Sequence, residues 1–309
     1  MTTILALSLL ACVQDTSIAD TAADGADTGE DEDTGSVDLD PLVGSYFPED
    51  YAPESLARVI FVGDSITAGS GATKNGLAFT ELLAENDDDT WADATWLDLG
   101  GIYESLPEVV DDSRGGATTS SLVLQQLDYV TEDLGDTVAG PTAVVVTIAG
   151  NDVQGLIGNT DDIEKTVEKI TKNLGKFYDY FDDPVRFPDG AYVYLANVYE
   201  PSDNVGQADE CFFGLNLEDV LSALATANAA TLAQAQERGV AWIDMRGHFL
   251  GHGFNGDDPE NEFHNPDDSS VWFDDDCIHP NDRGHHEIRR LFWYALAGKE
   301  FPGDGADVQ

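Results

Sequence analysis

Basic residues are scarce in this chain: 14 Lys and Arg stand against 60 Asp and Glu among 309 residues, a formal net charge of -46 at pH 7. A field of that sign repels nucleic acid and anionic membrane surfaces, so we expect neither as a partner. The acidic residues are spread along the sequence, which is typical of a solvated acidic surface and suits a salty environment. Since no stretch has the ligand spacing of an EF-hand calcium loop, specific metal-binding loops are the less favoured interpretation of these acids. We expect no cofactor.

Long apolar runs are also missing. The apolar segment at the N-terminus, residues 1–12, is shorter than the ~20 residues that a bilayer-spanning helix needs, and it resembles the apolar part of a secretory signal. Its ending, Leu9-Leu10-Ala11-Cys12, resembles a bacterial lipobox, which implies acylation of Cys12. We therefore predict an exported bacterial protein, a cell-envelope lipoprotein or a secreted one, that touches the membrane only through a lipid anchor at Cys12. An unprocessed apolar end is the alternative interpretation of this segment.

Large apolar side chains are few in residues 13–45, which are rich in Asp, Thr, Ala, Gly and Ser. Such a segment cannot bury enough surface to offset the entropy cost of ordering, so we predict a disordered acidic linker. The composition beyond it is globular, and one α/β domain fits the remaining length. We place that domain at residues 46–300 and a flexible tail at residues 301–309.

Strand and helix patterns alternate through the predicted domain. Apolar runs predict five strands, at residues 57–62, 95–99, 142–149, 191–198 and 240–245. Helical spacing predicts five helices, at residues 77–86, 119–134, 161–181, 217–238 and 282–297. Strands separated by helices favour a parallel sheet covered on both faces. The predicted fold class is therefore α/β, a three-layer α/β/α sandwich with a five-stranded, mostly parallel sheet.

A serine and a histidine are the candidates for nucleophilic chemistry. Ser65 lies just past the end of the first predicted strand, where open α/β sheets build their sites, although a helix cap or a turn is the alternative. Asp276 precedes His279 by three residues in a loop before the last helix. His279 can then accept the Ser65 proton through one ring nitrogen while Asp276 holds the other. A helix-capping Asp beside a polar loop His is the alternative interpretation.

Acyl transfer also needs hydrogen-bond donors for an oxyanion. Asn151 follows the strongest predicted strand and can present its side-chain amide at that strand's end. Gly116 precedes a predicted helix and can offer a backbone N–H, and the Ser65 amide is a third donor. Simple turns are the alternative at Gly116 and Asn151.

Four blocks of the chain resemble, in order, those of the SGNH (GDSL-type) hydrolases: Gly63-Asp64-Ser65, Gly116, Gly150-Asn151-Asp152 and Asp276-Cys277-Ile278-His279. The resemblance covers residues 57–298 and implies a flavodoxin-like fold without a metal. It also implies a catalytic triad of Ser65, Asp276 and His279, and an oxyanion hole formed by Ser65, Gly116 and Asn151. The second block lacks an upstream Asn, which leaves Gly115 open beside Gly116.

These features together predict a serine esterase that hydrolyses carboxylic esters through an acyl-enzyme on Ser65. The substrate is expected to be a small-molecule, carbohydrate or lipid ester. Two alternatives stay open: acyl transfer by the same site to a sugar or other alcohol, and a non-catalytic surface binding protein on the same fold. In an exported chain Cys211 and Cys277 are candidates for a disulfide, with free thiols as the alternative.

Overall fold

A five-stranded parallel sheet forms the centre of the protein. The computed structural model describes residues 44–158, 160–207 and 218–302. The strand order is β2-β1-β3-β4-β5, which is the flavodoxin-like doubly wound order and confirms the predicted fold class. The strands are β1 (Arg58–Gly63), β2 (Glu108–Asp111), β3 (Thr142–Thr147), β4 (Ala191–Ala196) and β5 (Ala241–Ile243).

Helices follow the strands and overlap all five predicted helices. They are α1 (Phe79–Ala84), α2 (Thr119–Ser121), α3 (Leu127–Leu134), α4 (Gly150–Gln154), α5 (Ile163–Phe181), α6 (Glu218–Arg238), α7 (Met245–Phe249) and α8 (Asp282–Leu296). A π-helical stretch, Leu122–Gln126, joins α2 to α3. In the part of the chain that the structure describes, none of the helices has the length and apolar character needed to cross a bilayer.

The two faces of the sheet carry separate apolar layers. One layer packs β1 and β3 against α3, α5 and α6, and Leu174 and Phe177 of α5 are fully buried in it. The other packs the sheet against α1 and α8 through Phe79 and Phe292, whose rings stack at 5.3 Å. Burying a side chain of this size stabilises the fold by roughly 1.5–3 kcal/mol, so these faces fix where the helices lie.

The strands β1 and β3 bring the ends of two chain segments together. Their apolar residues are fully buried, as expected for central strands of a parallel sheet. In the parallel register Val62 pairs with Val146 and Gly63 with Thr147. Because parallel strands finish at the same edge, the residues that follow β1 and β3 emerge side by side.

The strand predicted at residues 95–99 is wrong. These residues form turns and the start of a short 3-10 helix (Leu99–Gly101), and the second strand is β2 instead. Leu97 and Leu99 are buried, but they pack beneath α8, where the Trp293 indole donates to the Asp98 carbonyl at 2.9 Å. The strand β2 lies at the sheet edge with most of its residues exposed, so its apolar signal is weak.

Several sequence predictions lie outside the described residues. They concern the N-terminal segment, most of the predicted linker, nearly all of the predicted tail, and two cysteines, Cys12 and Cys211.

Candidate active site

The turn after β1 presents Ser65 at the carboxyl edge of the sheet. Gly63 has φ of +130°, and a Cβ atom there would lie 2.2 Å from the Thr147 carbonyl oxygen, so only glycine fits this close approach. Gln126 fixes the same residue from both sides: its side-chain oxygen accepts from the Gly63 amide at 2.7 Å, and its amide donates to the Gly63 carbonyl at 2.8 Å. The position of Ser65 is thus set by β3 and by the π-helical stretch.

Ser65, His279 and Asp276 form a continuous hydrogen-bonded chain. The Ser65 Oγ lies 2.8 Å from Nε2 of His279, and Nδ1 of His279 lies 2.5 Å from Oδ2 of Asp276. The other carboxylate oxygen, Oδ1, accepts from the Ile278 and His279 amides at 2.9 Å each. Three residues predicted from two distant blocks therefore meet in the geometry of a nucleophile, a base and an orienting carboxylate.

The environment of Asp276 keeps its carboxylate charged. Burial alone raises the pKa of this group, but hydrogen bonds from the His279 amide, the His279 ring and the Ile278 amide outweigh burial and lower the pKa below its usual range. A charged Asp276 can stabilise the imidazolium that forms when His279 takes a proton.

The loop that carries His279 is held in place from outside. Cys277 has φ of +60°, a left-handed conformation that is uncommon for a residue other than glycine. Cys277 is disulfide-bonded, and its predicted partner, Cys211, lies outside the described residues, so the pairing itself stays a prediction. The hydroxyl of Tyr199, which follows β4, donates to the Ile278 carbonyl at 2.7 Å. Sequence analysis missed Tyr199, although its place after a predicted strand was a signal.

A second carboxylate lies directly before the serine. The Asp64 side chain is buried and accepts from the Ile66 amide at 3.1 Å and from the Thr147 hydroxyl at 2.9 Å. Burial raises the pKa of Asp64 to about 6, although both hydrogen bonds and the nearby His279 oppose that shift. Through these contacts Asp64 holds the start of the serine turn against β3.

Two of the three predicted oxyanion donors, Gly116 and Asn151, lie on neighbouring segments. Ala149 has φ of +85° and turns the chain from β3 directly into α4, which carries Asn151. The Asn151 side-chain amide donates to the Ala117 carbonyl at 2.9 Å. Since that amide has two N–H groups, one remains for a ligand. Gly116, with φ of +76°, forms the turn before Ala117, so the structure brings Asn151 against the predicted glycine turn.

A cleft opens beside Ser65. It encloses about 750 Å³, part of it open to solvent, and both Ser65 and Asn151 line it. Its other walls are mostly aliphatic, from Ile66, Val153, Ile157, Val198, Val220, Leu221, Leu224 and Ile278. Glu200 also lines the cleft, but its carboxylate accepts from the Ser202 amide at 2.6 Å and from the Asn204 amide at 2.7 Å. The cleft therefore offers an apolar surface next to the serine.

The other histidines have structural partners. His248 pairs with Glu287 at 2.9 Å, His252 stacks on Trp272, and His264 contacts the Gly256 carbonyl at 2.7 Å. Within the described ranges no group of three or more His, Cys, Asp or Glu residues could hold a metal ion.

Comparisons with known proteins agree with this fold. An acetyl-xylooligosaccharide esterase from Geobacillus stearothermophilus, solved as a mutant, matches with 15% identity over 79% of this chain and 95% of that chain, at a TM-score of 0.50. BT4096, a gut microbial diltiazem-metabolizing enzyme, matches with 16% identity over 78% of this chain and 46% of that one, at 0.52. At these identities the likeness shows the fold alone. The search of the curated proteins found no match.

The fold is a doubly wound α/β sheet that places Ser65 at its carboxyl edge, in hydrogen-bond contact with His279. The GDSL-like Lipase/Acylhydrolase family matches residues 59–292, well over half of the chain. The chain belongs to this family, and it is an ester-bond hydrolase. The resemblance that the four sequence blocks carry is therefore confirmed, and the alternative of a non-catalytic binding protein is set aside.

Proposed function

We propose that the protein hydrolyses carboxylic esters through an acyl-enzyme on Ser65. The observation that carries this proposal is the chain from the Ser65 hydroxyl through the His279 ring to Asp276, with contacts of 2.8 and 2.5 Å. Nε2 of His279 takes the Ser65 proton while Oγ forms a bond to the ester carbonyl carbon. The carbonyl oxygen becomes an oxyanion that accepts from the Ser65 and Gly116 amides and the Asn151 side chain.

The proton on His279 then passes to the leaving alcohol as its bond to the acyl carbon breaks. A water molecule completes the cycle: His279 takes its proton, the water oxygen attacks the acyl carbon, and Ser65 leaves with the proton from the imidazolium. Each proton that His279 accepts is returned within the same half-reaction. Acyl transfer to an alcohol acceptor would use the same acyl-enzyme, and acceptor-dependent product formation is the measurement that detects it.

We also propose that the ester carries an apolar group that fills the cleft. The aliphatic walls favour such a group, and the Glu200 carboxylate is already engaged by the Ser202 and Asn204 amides. Each methylene of the acyl group that is buried in the cleft contributes about 0.8 kcal/mol, which corresponds to roughly a fourfold increase in kcat/KM. Octanoate esters should therefore be cleaved faster than acetate esters.

Hydrolysis of p-nitrophenyl esters, with wild type beside Ser65→Ala, tests the mechanism. Ser65→Ala should lower turnover by at least ~10³, because only binding and oxyanion stabilisation remain. Ser55→Ala is the matched control, since Ser55 is an exposed serine before β1. A Ser65→Ala enzyme with near-normal turnover would reject the serine mechanism.

Comparing p-nitrophenyl acetate, butyrate and octanoate tests whether the cleft binds an apolar acyl group. Val220→Trp should narrow the cleft and lower the ratio of octanoate to acetate cleavage, whereas Val185→Trp, at a valine that is 75% exposed, should leave the ratio at its wild-type value. Serine-dependent cleavage of acetate alone would reject the apolar substrate and leave the mechanism standing.

Export with a lipid anchor at Cys12 is a further part of the proposal. It is supported by the lipobox-like ending Leu9-Leu10-Ala11-Cys12 and by the disulfide at Cys277, because disulfides persist mainly in oxidising compartments. In bacteria labelled with radioactive palmitate, the wild-type protein should take up label and Cys12→Ser should not. Equal labelling of both proteins, or labelling of neither, would contradict the anchor.

A further inference from the structure

A buried carboxylate joins the segments that carry two of the three candidate oxyanion donors, Asn151 and Gly116. Asp152 is the residue after Asn151, and its side chain has no exposed surface. Its Oδ2 accepts from the Thr119 amide at 2.8 Å, and its Oδ1 from the Thr119 hydroxyl at 3.3 Å. Thr119 begins α2, three residues after Gly116. One side chain thus ties the start of α4 to the start of α2.

A contact in the opposite direction completes the link. The Asn151 side chain donates to the Ala117 carbonyl at 2.9 Å, so α4 donates to the glycine turn through one residue and accepts from α2 through the next. These two hydrogen bonds run in opposite directions and lie one residue apart on α4 and two residues apart on the other segment, so they restrict both sliding and rotation of one segment against the other.

Two side chains of the long helix α5 contact both sides of the link between Asp152 and Thr119. The Lys169 ammonium lies 2.9 Å from Oδ1 of Asp152. The Asn173 side chain, one turn further along α5, donates to the Thr119 and Ser120 hydroxyls at 3.1 Å each. A buried carboxylate is costly unless it is paired and hydrogen-bonded, and here Lys169 and Thr119 supply both kinds of partner.

Helix capping alone does not explain Asp152. The helix α2 already has its own capping box, in which the Ser121 hydroxyl accepts from the Thr118 amide at 2.8 Å and the Thr118 hydroxyl accepts from the Ser121 amide at 3.4 Å. The contacts of Asp152 add a connection between two helices rather than a local cap.

We propose that Asp152, supported by Lys169, is a positioning residue that sets the placement of the Asn151 amide relative to the Gly116 N–H. The proposal rests on the proposed function, in which both groups stabilise the oxyanion. Oxyanion stabilisation depends on donors that are fixed before the reaction, and a misplacement of about 1 Å can cost ~10² in rate. A rigid link between the two donor segments therefore acts on kcat.

Asp152→Asn is the first test. The amide keeps the size of the carboxylate, but it removes the charge and places N–H groups where Lys169 or Thr119 already donates. We expect kcat to fall by at least about tenfold while KM stays within about threefold, because the loss acts on the transition state. The control is Asp128→Asn, at an exposed aspartate of α3, which should keep the wild-type kcat.

A double-mutant cycle separates positioning from a merely structural role. If Asp152 acts through the oxyanion donors, Asn151→Ala with Asp152→Asn should lose less than the product of the two single losses. Losses that multiply fully, or a normal kcat in Asp152→Asn, would overturn the proposal. Lys169→Met should lie between wild type and Asp152→Asn, and Lys169→Arg should lie above Lys169→Met because the guanidinium keeps the charge.

Two accompanying measurements make the outcome decisive. Thermal unfolding of each variant separates loss of kcat from loss of fold, and an Asp152→Asn protein that is folded at the assay temperature with wild-type kcat rejects the positioning role. Ser65→Ala separates this proposal from the proposed function. If Ser65→Ala is inactive and the kcat losses of Asn151→Ala and Asp152→Asn multiply fully, only the positioning role fails. If Ser65→Ala is active, the proposed function fails as well.

Discussion

Replacing Asp276 by Asn should reverse the proton arrangement on His279. In the structure Oδ1 of Asp276 accepts from the Ile278 and His279 amides at 2.9 Å each, and Oδ2 lies 2.5 Å from Nδ1 of the ring. In Asp276→Asn the side-chain oxygen must stay with the two amides, because an NH2 group there would face two other donors. The NH2 group is then directed at the ring.

The consequence for His279 follows from the hydrogen bonds. An NH2 donor beside Nδ1 requires that nitrogen to be the acceptor, so the ring proton moves to Nε2. Nε2 faces the Ser65 hydroxyl at 2.8 Å. A protonated Nε2 cannot accept the serine proton, so the base is present but in the wrong tautomer.

The size of the effect comes from the general-base step. Loss of the correct tautomer should lower kcat by about 10³–10⁴, which corresponds to about 4–5.5 kcal/mol at 1.36 kcal/mol for each factor of ten. Asp276→Ala should be no more damaging than Asp276→Asn, because water can fill the space and accept from Nδ1. KM should change little, since Asp276 lies behind the ring and not in the cleft.

Cleavage of a p-nitrophenyl ester at neutral pH measures this prediction. Asp275→Asn is the matched control: it removes the same charge from the adjacent exposed residue and should stay within about threefold of wild type, as expected for an exposed charge screened by solvent. If Asp276→Asn were as active as Asp275→Asn, the hydrogen-bonded chain through His279 would not carry the reaction.

Three further predictions concern stability. Burial is the largest cause that lowers the pKa of His285 to about 4 and the pKa of His286 to about 2. Below pH ~6.5 both histidines are therefore protonated in the unfolded chain but still neutral in the folded protein. The free energy of unfolding, measured with urea, should fall as the pH is lowered from ~6.5 towards ~4. If stability instead rose as the pH was lowered across this window, proton uptake by the folded protein at two buried aspartates, Asp64 and Asp203, would dominate, because burial raises the pKa of each to about 6. Gly63→Ala should cost about 3 kcal/mol or more, because the new Cβ meets a β3 carbonyl and the backbone is strained; an unchanged thermal midpoint would contradict this. Reduction of the Cys277 disulfide should lower stability by about 2–5 kcal/mol and reduce turnover, and full activity after reduction would show that the His279 loop does not need it.

The sequence predicts the central strands and the positions of Ser65 and Asn151 because both signals are local. Each polar residue lies just past the end of a continuous apolar run, and such a run is buried in a parallel sheet whatever surrounds it. The strand β2 escapes prediction because an edge strand needs little apolar character. Buried leucines beneath α8 mimic a strand instead.

Lys169 shows a different limit. The lysines of α5 recur at helical spacing, which predicts a solvated face, and Lys169 is indeed about half exposed. Its ammonium nevertheless reaches the buried Asp152, 17 residues earlier in the chain. Nothing in the helical pattern marks Lys169 as the partner of a buried carboxylate, because that carboxylate belongs to another element and its position depends on the fold.

The two strained residues of the site explain why its supports lie on neighbouring loops. Ala149 and Cys277 have φ values of +85° and +60°, and they precede Asn151 and His279 by two residues each. Such conformations cost of order 1–3 kcal/mol and persist only where the surroundings fix them. The segment with Asn151 is fixed by the Asp152 link, and the segment with His279 by the disulfide and by Tyr199. Removing the Asp152 link, the disulfide or the Tyr199 contact should therefore displace Asn151 or His279 while the sheet is still folded. In such a variant, activity should be lost at a lower temperature than the one at which the protein unfolds.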